Sequence, residues 1–232
     1  MSRVELSNSG STWAAFCKIA SILPRGDVAL IQGQQHSPHA RPRTLDSHVS
    51  GRLARGRRRA ARLASYGRWC KIMAGHRHTV IAIPADAHIG AGFRLVIPGN
   101  GHLTVGAGVV FRHGTIIEIA DGSAVTIGAR TVFTYHNVIQ SVTRIEIGAG
   151  CLFAAFASVV DGAHRPADIG GSLRDAGYEP RPIEIGDDVW VASKSTINAD
   201  VGSGAVVGAN SLVNRTVPAG ALVGGVPARV LR

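Results

Sequence analysis

A short hydrophobic beat dominates the second two-thirds of the chain. From about residue 79 a branched aliphatic residue followed by glycine recurs at Ile89, Val105, Ile127, Ile147, Ile185, Val201 and Val207. Read in sixes, the pattern is aliphatic, small, two variable residues, small or aliphatic, variable. IGARTV–FTYHNV, IGAGCL–FAAFAS, IGDDVW–VASKST and VGSGAV–VGANSL show it most clearly. The intervals 89 to 105, 105 to 127 and 127 to 147 are 16, 22 and 20 residues. Three sixes make about eighteen residues, the circumference of one triangular coil of parallel β-structure. Such a coil cannot bury its own inner face, so its core comes from stacking on its neighbours. Three ladders follow from the spacing. The first holds Val105, Ile127, Ile147 and Ile185, the second Phe111, Phe133, Phe153 and Val191, and the third Ile117, Ile139, Val159 and Ile197. The 38 residues between Ile147 and Ile185 amount to one coil plus an insertion of about twenty, placed near Ala163–Pro182.

Composition fits this thin, turn-rich core. There are 29 glycines, aromatics make up only 5%, and 45% of residues are hydrophobic, whereas glycine is usually about 7%. A β-sandwich would account for short strands but not for three ladders in phase. The net charge of +10 is not spread evenly. Residues 1–80 carry 14 Lys/Arg against 3 Asp/Glu, and residues 81–232 carry 11 against 12. The basicity therefore belongs to an N-terminal extension. We divide the chain into a low-order extension over residues 1–49, a basic helix and linker over 50–78, and an all-β domain over 79–232. In the helix, Leu53, Leu63, Trp69 and Ile72 are the expected packing positions. Cys17, Cys70 and Cys151 form no disulfide framework and suit a reducing cytoplasm. No apolar run reaches the roughly 20 residues of a membrane span.

The C-terminal run PIEIGDDVWVASKSTINADVGSGAVVGANSLVNRTVPAGALVGGVPARVLR resembles the hexapeptide-repeat acyltransferases, in particular their sugar and polysaccharide O-acetyltransferase branch. The shared features, in order, are IGDxVW, the small pair after it, VVGAxS, a proline and a terminal GxPAR. The resemblance covers about residues 79–232. It implies a left-handed parallel β-helix, an exception to the usual right-handed crossover. It also implies a homotrimer, acetyl-CoA as co-substrate in a groove between neighbouring prisms, and no metal. One departure is the four-residue step from Ile197 to Val201, where the family has a full six; the corner there should be tighter.

The resemblance assigns candidate residues. His164, in VVDGAHRP at the mouth of the insertion, matches the general base of the branch. An alcohol is a poor nucleophile near neutral pH, and a neutral imidazole can take its proton as the oxygen attacks the thioester. Asp161 stands three residues earlier, as an orienter of that imidazole, an acceptor contact or a turn residue. Ser193 and Ala209 would line the pantetheine slot with backbone groups. Asn214 and Arg215 match the pair at the adenosine end, and Arg229 and Arg232 match the basic residues of the terminal motif, where arginine suits phosphate. Sugar acetyltransferases of this branch hold the sugar with an Asn and an Asp; here those positions are His136 and Val142. His136 remains an acceptor-side candidate, with the insertion shaping the rest.

The expected activity is transfer of an acetyl or other short acyl group to a hydroxyl or amine of a sugar or glycan. Two rivals share the fold. A γ-carbonic-anhydrase-like zinc enzyme needs two histidines about five residues apart, whereas His113, His136 and His164 are 23 and 28 apart. A non-catalytic β-helix scaffold would have no use for the C-terminal motif. The basic helix is read as a solvated tail or as a weak contact for an anionic membrane surface; no specific nucleic-acid partner is expected.

Overall fold

The structure, a computed structural model, describes residues 47–76, 80–164 and 178–232, with the backbone alone for 47–55, His164 and Tyr178. Residues 1–46 of the expected 1–49 extension and most of the insertion lie outside the described residues.

From Val80 onward the chain winds as a three-sided parallel β-helix. Each turn adds one short strand to each of three parallel sheets. The first face holds Val80–Ala82, His102–Val105, Ala124–Ile127, Arg144–Ile147 and Ile183–Ile185, continued by single bridges to Val201 and Val217. The second face runs from His88–Ile89 to Leu222–Gly225, and the third from Arg94–Val96 to Leu212–Val213. Burial alternates along the strands, as in His102–Val105, where Leu103 and Val105 point inward. All three expected ladders are present. Val105 pairs with Ile127, Ile127 with Ile147 and Ile147 with Ile185. Phe111, Phe133, Phe153 and Val191 follow one another on the second face, and Ile117, Ile139, Val159 and Ile197 on the third. The phenylalanine ladder is a continuous ring stack with centroids 5.3 and 4.7 Å apart.

The register puts two of the aliphatic–Gly pairs on another face, so the interval from Ile89 to Val105 is not one coil. Ile89 pairs with Phe111 and Val207 with Val223, so both belong to the second face. The coils are not uniformly eighteen residues either. Ladder residues are six apart from first to second face, as in Val105–Phe111, and six apart from second to third, as in Phe111–Ile117. All variation falls on the edge where the third face returns to the first. Leu95 to Val105 and Ile117 to Ile127 are ten residues, Ile139 to Ile147 eight, Val159 to Ile185 twenty-six, and Ile197 to Val201 four. The short INAD step is therefore a tight corner on this same edge.

The repeat's glycine answers to close approach rather than to backbone torsion. A Cβ on Gly128 would run into the main chain of Gly148 and Ala149 in the next coil. Left-handed torsions occur two residues later, at Arg130 (φ 60°), and at the matching place on the second corner, His136 (φ 55°) and Phe156 (φ 62°). A non-glycine residue there costs on the order of 1–2 kcal/mol, which the stacked coils on either side over-determine.

The helix α1, Ser47–Gly75, closes the open N-terminal coil through its last third. Trp69, Ile72 and Met73 pack against the core. Ser65 Oγ accepts from Ile89 N (2.8 Å), Arg68 Nε donates to Ile89 O (2.7 Å), and Trp69 Nε1 donates to Ile83 O (2.8 Å). These bonds satisfy edge groups that have no preceding strand to pair with. Leu63 is not a packing position: it is 73% exposed, because six and nine residues at 100° each place Trp69 and Ile72 on the far side of the helix. At the other end Ala228–Val230 turns back antiparallel on Leu222–Gly225.

Candidate active site

The excursion from the third face leaves as Gly162–His164 and returns as Tyr178–Pro180, an antiparallel arm in which His164 is opposite Tyr178. His164 is thus held by backbone pairing at the base of the insertion; its side chain, and residues 165–177, lie outside the described residues.

Asp161, just before the arm, is fully buried and its carboxylate is committed. Oδ1 accepts from Val142 N (2.6 Å), and Oδ2 from Ser141 Oγ (2.8 Å), Thr143 N (3.0 Å) and Thr143 Oγ1 (3.1 Å). Three donors saturate Oδ2 and a fourth takes one side of Oδ1, all of them from the single turn Ser141–Thr143. Of the three readings of Asp161, these hydrogen bonds support the turn residue. Asp161 holds the eight-residue corner of the preceding coil.

His136 sits at the second-to-third corner, exposed, with its ring stacked on Phe156 (5.2 Å, 13°) and edge-on to His113 (5.2 Å, 81°). Val142 is on the opposite edge of the same face, in the turn held by Asp161. The structure therefore separates the two positions at which the resemblance places a sugar clamp.

A cavity of about 610 Å³ opens along the third-to-first edge. Val96, Glu118, Gln140 and Val160 form one outward row across its floor, each in register with the next. Pro98, Ala120 and Val142 from the long corners and Gly162 and Ala163 from the arm make its walls. Sequence reasoning did not find Glu118 or Gln140. Their signal is a polar residue directly after a third-ladder isoleucine in two coils 22 residues apart.

The cofactor-side candidates fall into two places. Ser193 and Ala209 occupy equivalent positions on successive second-to-third corners, and Ser193 O accepts from Asn210 N (3.0 Å). Arg215 and Arg229, assigned from separate motifs, line one cavity of about 160 Å³ with Val217, Val223, Ala228 and Val230. Asn214 is exposed beside Arg215. Arg232 is tied by its backbone to Leu222, which donates to Arg232 O (2.9 Å), and its side chain is exposed.

Two perturbed groups lie outside these places. Burial foremost, then the charges of Arg68 and Arg112, lower the pKa of His88. Burial pushes the Cys151 thiol up to about 11. Among the described residues no group of three or more His, Cys, Asp or Glu side chains is placed to hold a metal ion, and no helix is long and apolar enough to cross a membrane.

Neither a scan against family models nor a search of curated proteins returned a match. Solved structures did. The chain is 32% identical to a hexapeptide-repeat-containing acetyltransferase of Vibrio cholerae O1 biovar eltor, solved with acetyl-coenzyme A, over 58% of this chain and 69% of that one (TM-score 0.45). It is 25% identical to a galactoside acetyltransferase in complex with coenzyme A, over 60% and 64% (TM-score 0.45). A polysialic-acid-specific acetyltransferase is 20% identical over 68% and 87% (TM-score 0.46). With its three ladders in register and its IGDxVW-to-GxPAR run in order, the chain is similar to hexapeptide-repeat acetyltransferases.

Proposed function

We propose that the protein transfers an acetyl group from acetyl-CoA to a hydroxyl or amine of a sugar or glycan acceptor. The observation that carries this reading is the convergence of Arg215 and Arg229 on one small apolar-walled cavity. Guanidinium groups suit phosphate oxygens, and the valines beside them suit the uncharged part of a long cofactor. Ser193 and Ala209 line the pantetheine path, with Asn214 and Arg232 at its adenosine end. The groove is completed by a neighbouring prism in a homotrimer.

His164 acts as the general base. Its neutral imidazole takes the acceptor's proton as the oxygen or nitrogen attacks the thioester carbonyl. The tetrahedral oxyanion is stabilised by backbone N–H groups. Collapse of that intermediate expels the CoA thiolate, which takes the proton back from the imidazolium. No covalent enzyme intermediate and no metal enter the scheme.

The test is free-thiol release with acetyl-CoA and a panel of sugar, glycan and amine acceptors. His164→Ala lowers kcat by roughly 10²- to 10⁴-fold while leaving acetyl-CoA binding intact. Arg215→Ala does the reverse, raising KM for acetyl-CoA with a smaller effect on kcat. Turnover by His164→Ala above about a third of wild type would show that this residue is not the base.

A further inference from the structure

The cavity on the third-to-first edge is where this chain spends its extra residues. The other two edges hold six-residue steps throughout. Here the steps are ten, ten, eight and twenty-six before shrinking to four. The long corners and the arm wall in the strip of third face between them, and that strip bears the cavity's hydrogen-bonding pair. Gln140 Nε2 donates to Glu118 Oε2 (2.7 Å). The bond fixes the amide's orientation, with its oxygen turned away from the carboxylate. Glu118 Oε1 and Gln140 Oε1 then have no protein donor among the described residues. Two acceptor oxygens therefore sit side by side on an otherwise apolar floor of Val96 and Val160.

A site with two acceptors and apolar flanks fits a ligand rich in O–H or N–H donors on a ring with C–H faces. Its charge selects further. Glu118 is the only charged side chain among the residues lining the cavity, and none of them is Lys or Arg. A carboxylate ligand would meet Glu118 with no described cation to offset the repulsion, whereas a hydroxyl or an ammonium donates to it with charge assistance. The arm that carries His164 forms the adjoining wall through Gly162 and Ala163.

We propose that Glu118 and Gln140 are the acceptor-recognising pair, and that they select an uncharged or amine-bearing sugar over an acidic one. The proposal rests on the acetyl-transfer reading for its reaction, but not for the binding it describes.

The experiment compares methyl β-glucopyranoside, glucosamine and glucuronic acid as acceptors for the wild-type protein, Glu118→Gln and Glu118→Asp. Thiol release is measured alongside the thermal melt of each variant. The wild type favours the glucoside and glucosamine over glucuronic acid by tenfold or more in kcat/KM. Glu118→Gln, isosteric but uncharged, shrinks that ratio about tenfold at unchanged KM for acetyl-CoA, and Glu118→Asp retains it. A ratio that is the same in wild type and Glu118→Gln, or a wild type that prefers glucuronic acid, overturns the proposal. If no acceptor is acetylated, the transfer reading fails on its own. Saturation-transfer NMR then decides the site: methyl glucoside binding that weakens in Glu118→Gln upholds it, and absence of binding overturns it.

Discussion

Replacing Asp161 with asparagine separates two roles that the sequence leaves open. The substitution keeps the shape and removes the charge. One carboxylate oxygen becomes an NH₂ group, and the least damaging orientation places it against Val142 N, so that the 2.6 Å bond is lost while the three donors at Oδ2 keep an oxygen. Losing one charge-assisted bond costs about 1.5–3 kcal/mol, and the three survivors weaken from charged to neutral bonds. Relief from burying a charge offsets part of this. A net loss of about 3 kcal/mol lowers Tm by roughly 6–12 °C for a domain of this size. The assay pairs a thermal melt with kcat measured well below the melt. A turn-holding aspartate gives the large Tm loss with kcat within about tenfold of wild type. An imidazole-orienting aspartate gives the opposite, with an intact melt and kcat down by orders of magnitude, as when the aspartate of a Ser-His-Asp triad is replaced. A Tm within about 2 °C of wild type together with a hundredfold fall in kcat would refute the structural reasoning.

Acidification destabilises the protein through His88. Its pKa is lowered from 6.5 in the fold, so the unfolded chain gains the proton first. Stability is full above about 6.5, falls as the pH drops through that value, and levels off below the folded pKa; a Tm–pH curve unchanged in His88→Gln would contradict this. Cys151 is buried, its Sγ donates to Gly186 O (3.1 Å), and its pKa is raised to about 11. Iodoacetamide at pH 8 should label the exposed Cys70 and spare Cys151 until the protein unfolds; equal labelling by mass spectrometry in the folded state would be the contrary result. Light scattering should find three chains per particle, and a fully active monomer would remove the intersubunit groove from the proposal.

The three ladders were legible because each inward position touches its equivalents in the coils on either side. Phe133 needs a partner of like shape at both Phe111 and Phe153, and that demand is written into the sequence as a periodic aliphatic or aromatic residue. The face to which a given aliphatic–Gly pair belongs was not legible. Glycine is required wherever one coil's main chain closes on the next, and this happens after Ile89 on the second face as well as after Ile127 on the first. A Cβ on Gly90 would meet the backbone of Arg112 just as one on Gly128 would meet Gly148. The signal reports close approach and carries no information about which edge follows. The exposure of Leu63 has a different cause: hydrophobicity alone does not register the 100° per residue that sets it about 120° around the helix from Trp69.

The cofactor-side arginines and the acceptor-side pair became visible in opposite ways. Arg215 and Arg229 stand in motifs, so sequence nominated each, and the terminal hairpin added only that they meet. Glu118 and Gln140 have no motif, and neither says anything alone. Their meeting depends on a coil of 22 residues, and that length is set by the ten-residue corner between Ile117 and Ile127. The core does not constrain that corner. A step of four closes the ladder between Ile197 and Val201 as well as a step of ten does between Ile117 and Ile127. An edge whose length is free of packing demands is an edge on which a site can be built without cost to the fold. It is also the one part of a solenoid whose content periodicity cannot foretell. That the longest steps, the buried turn-holding Asp161 and the arm bearing His164 all fall on this edge is the ground for proposing the acceptor there rather than on the exposed ring stack of His136 and Phe156.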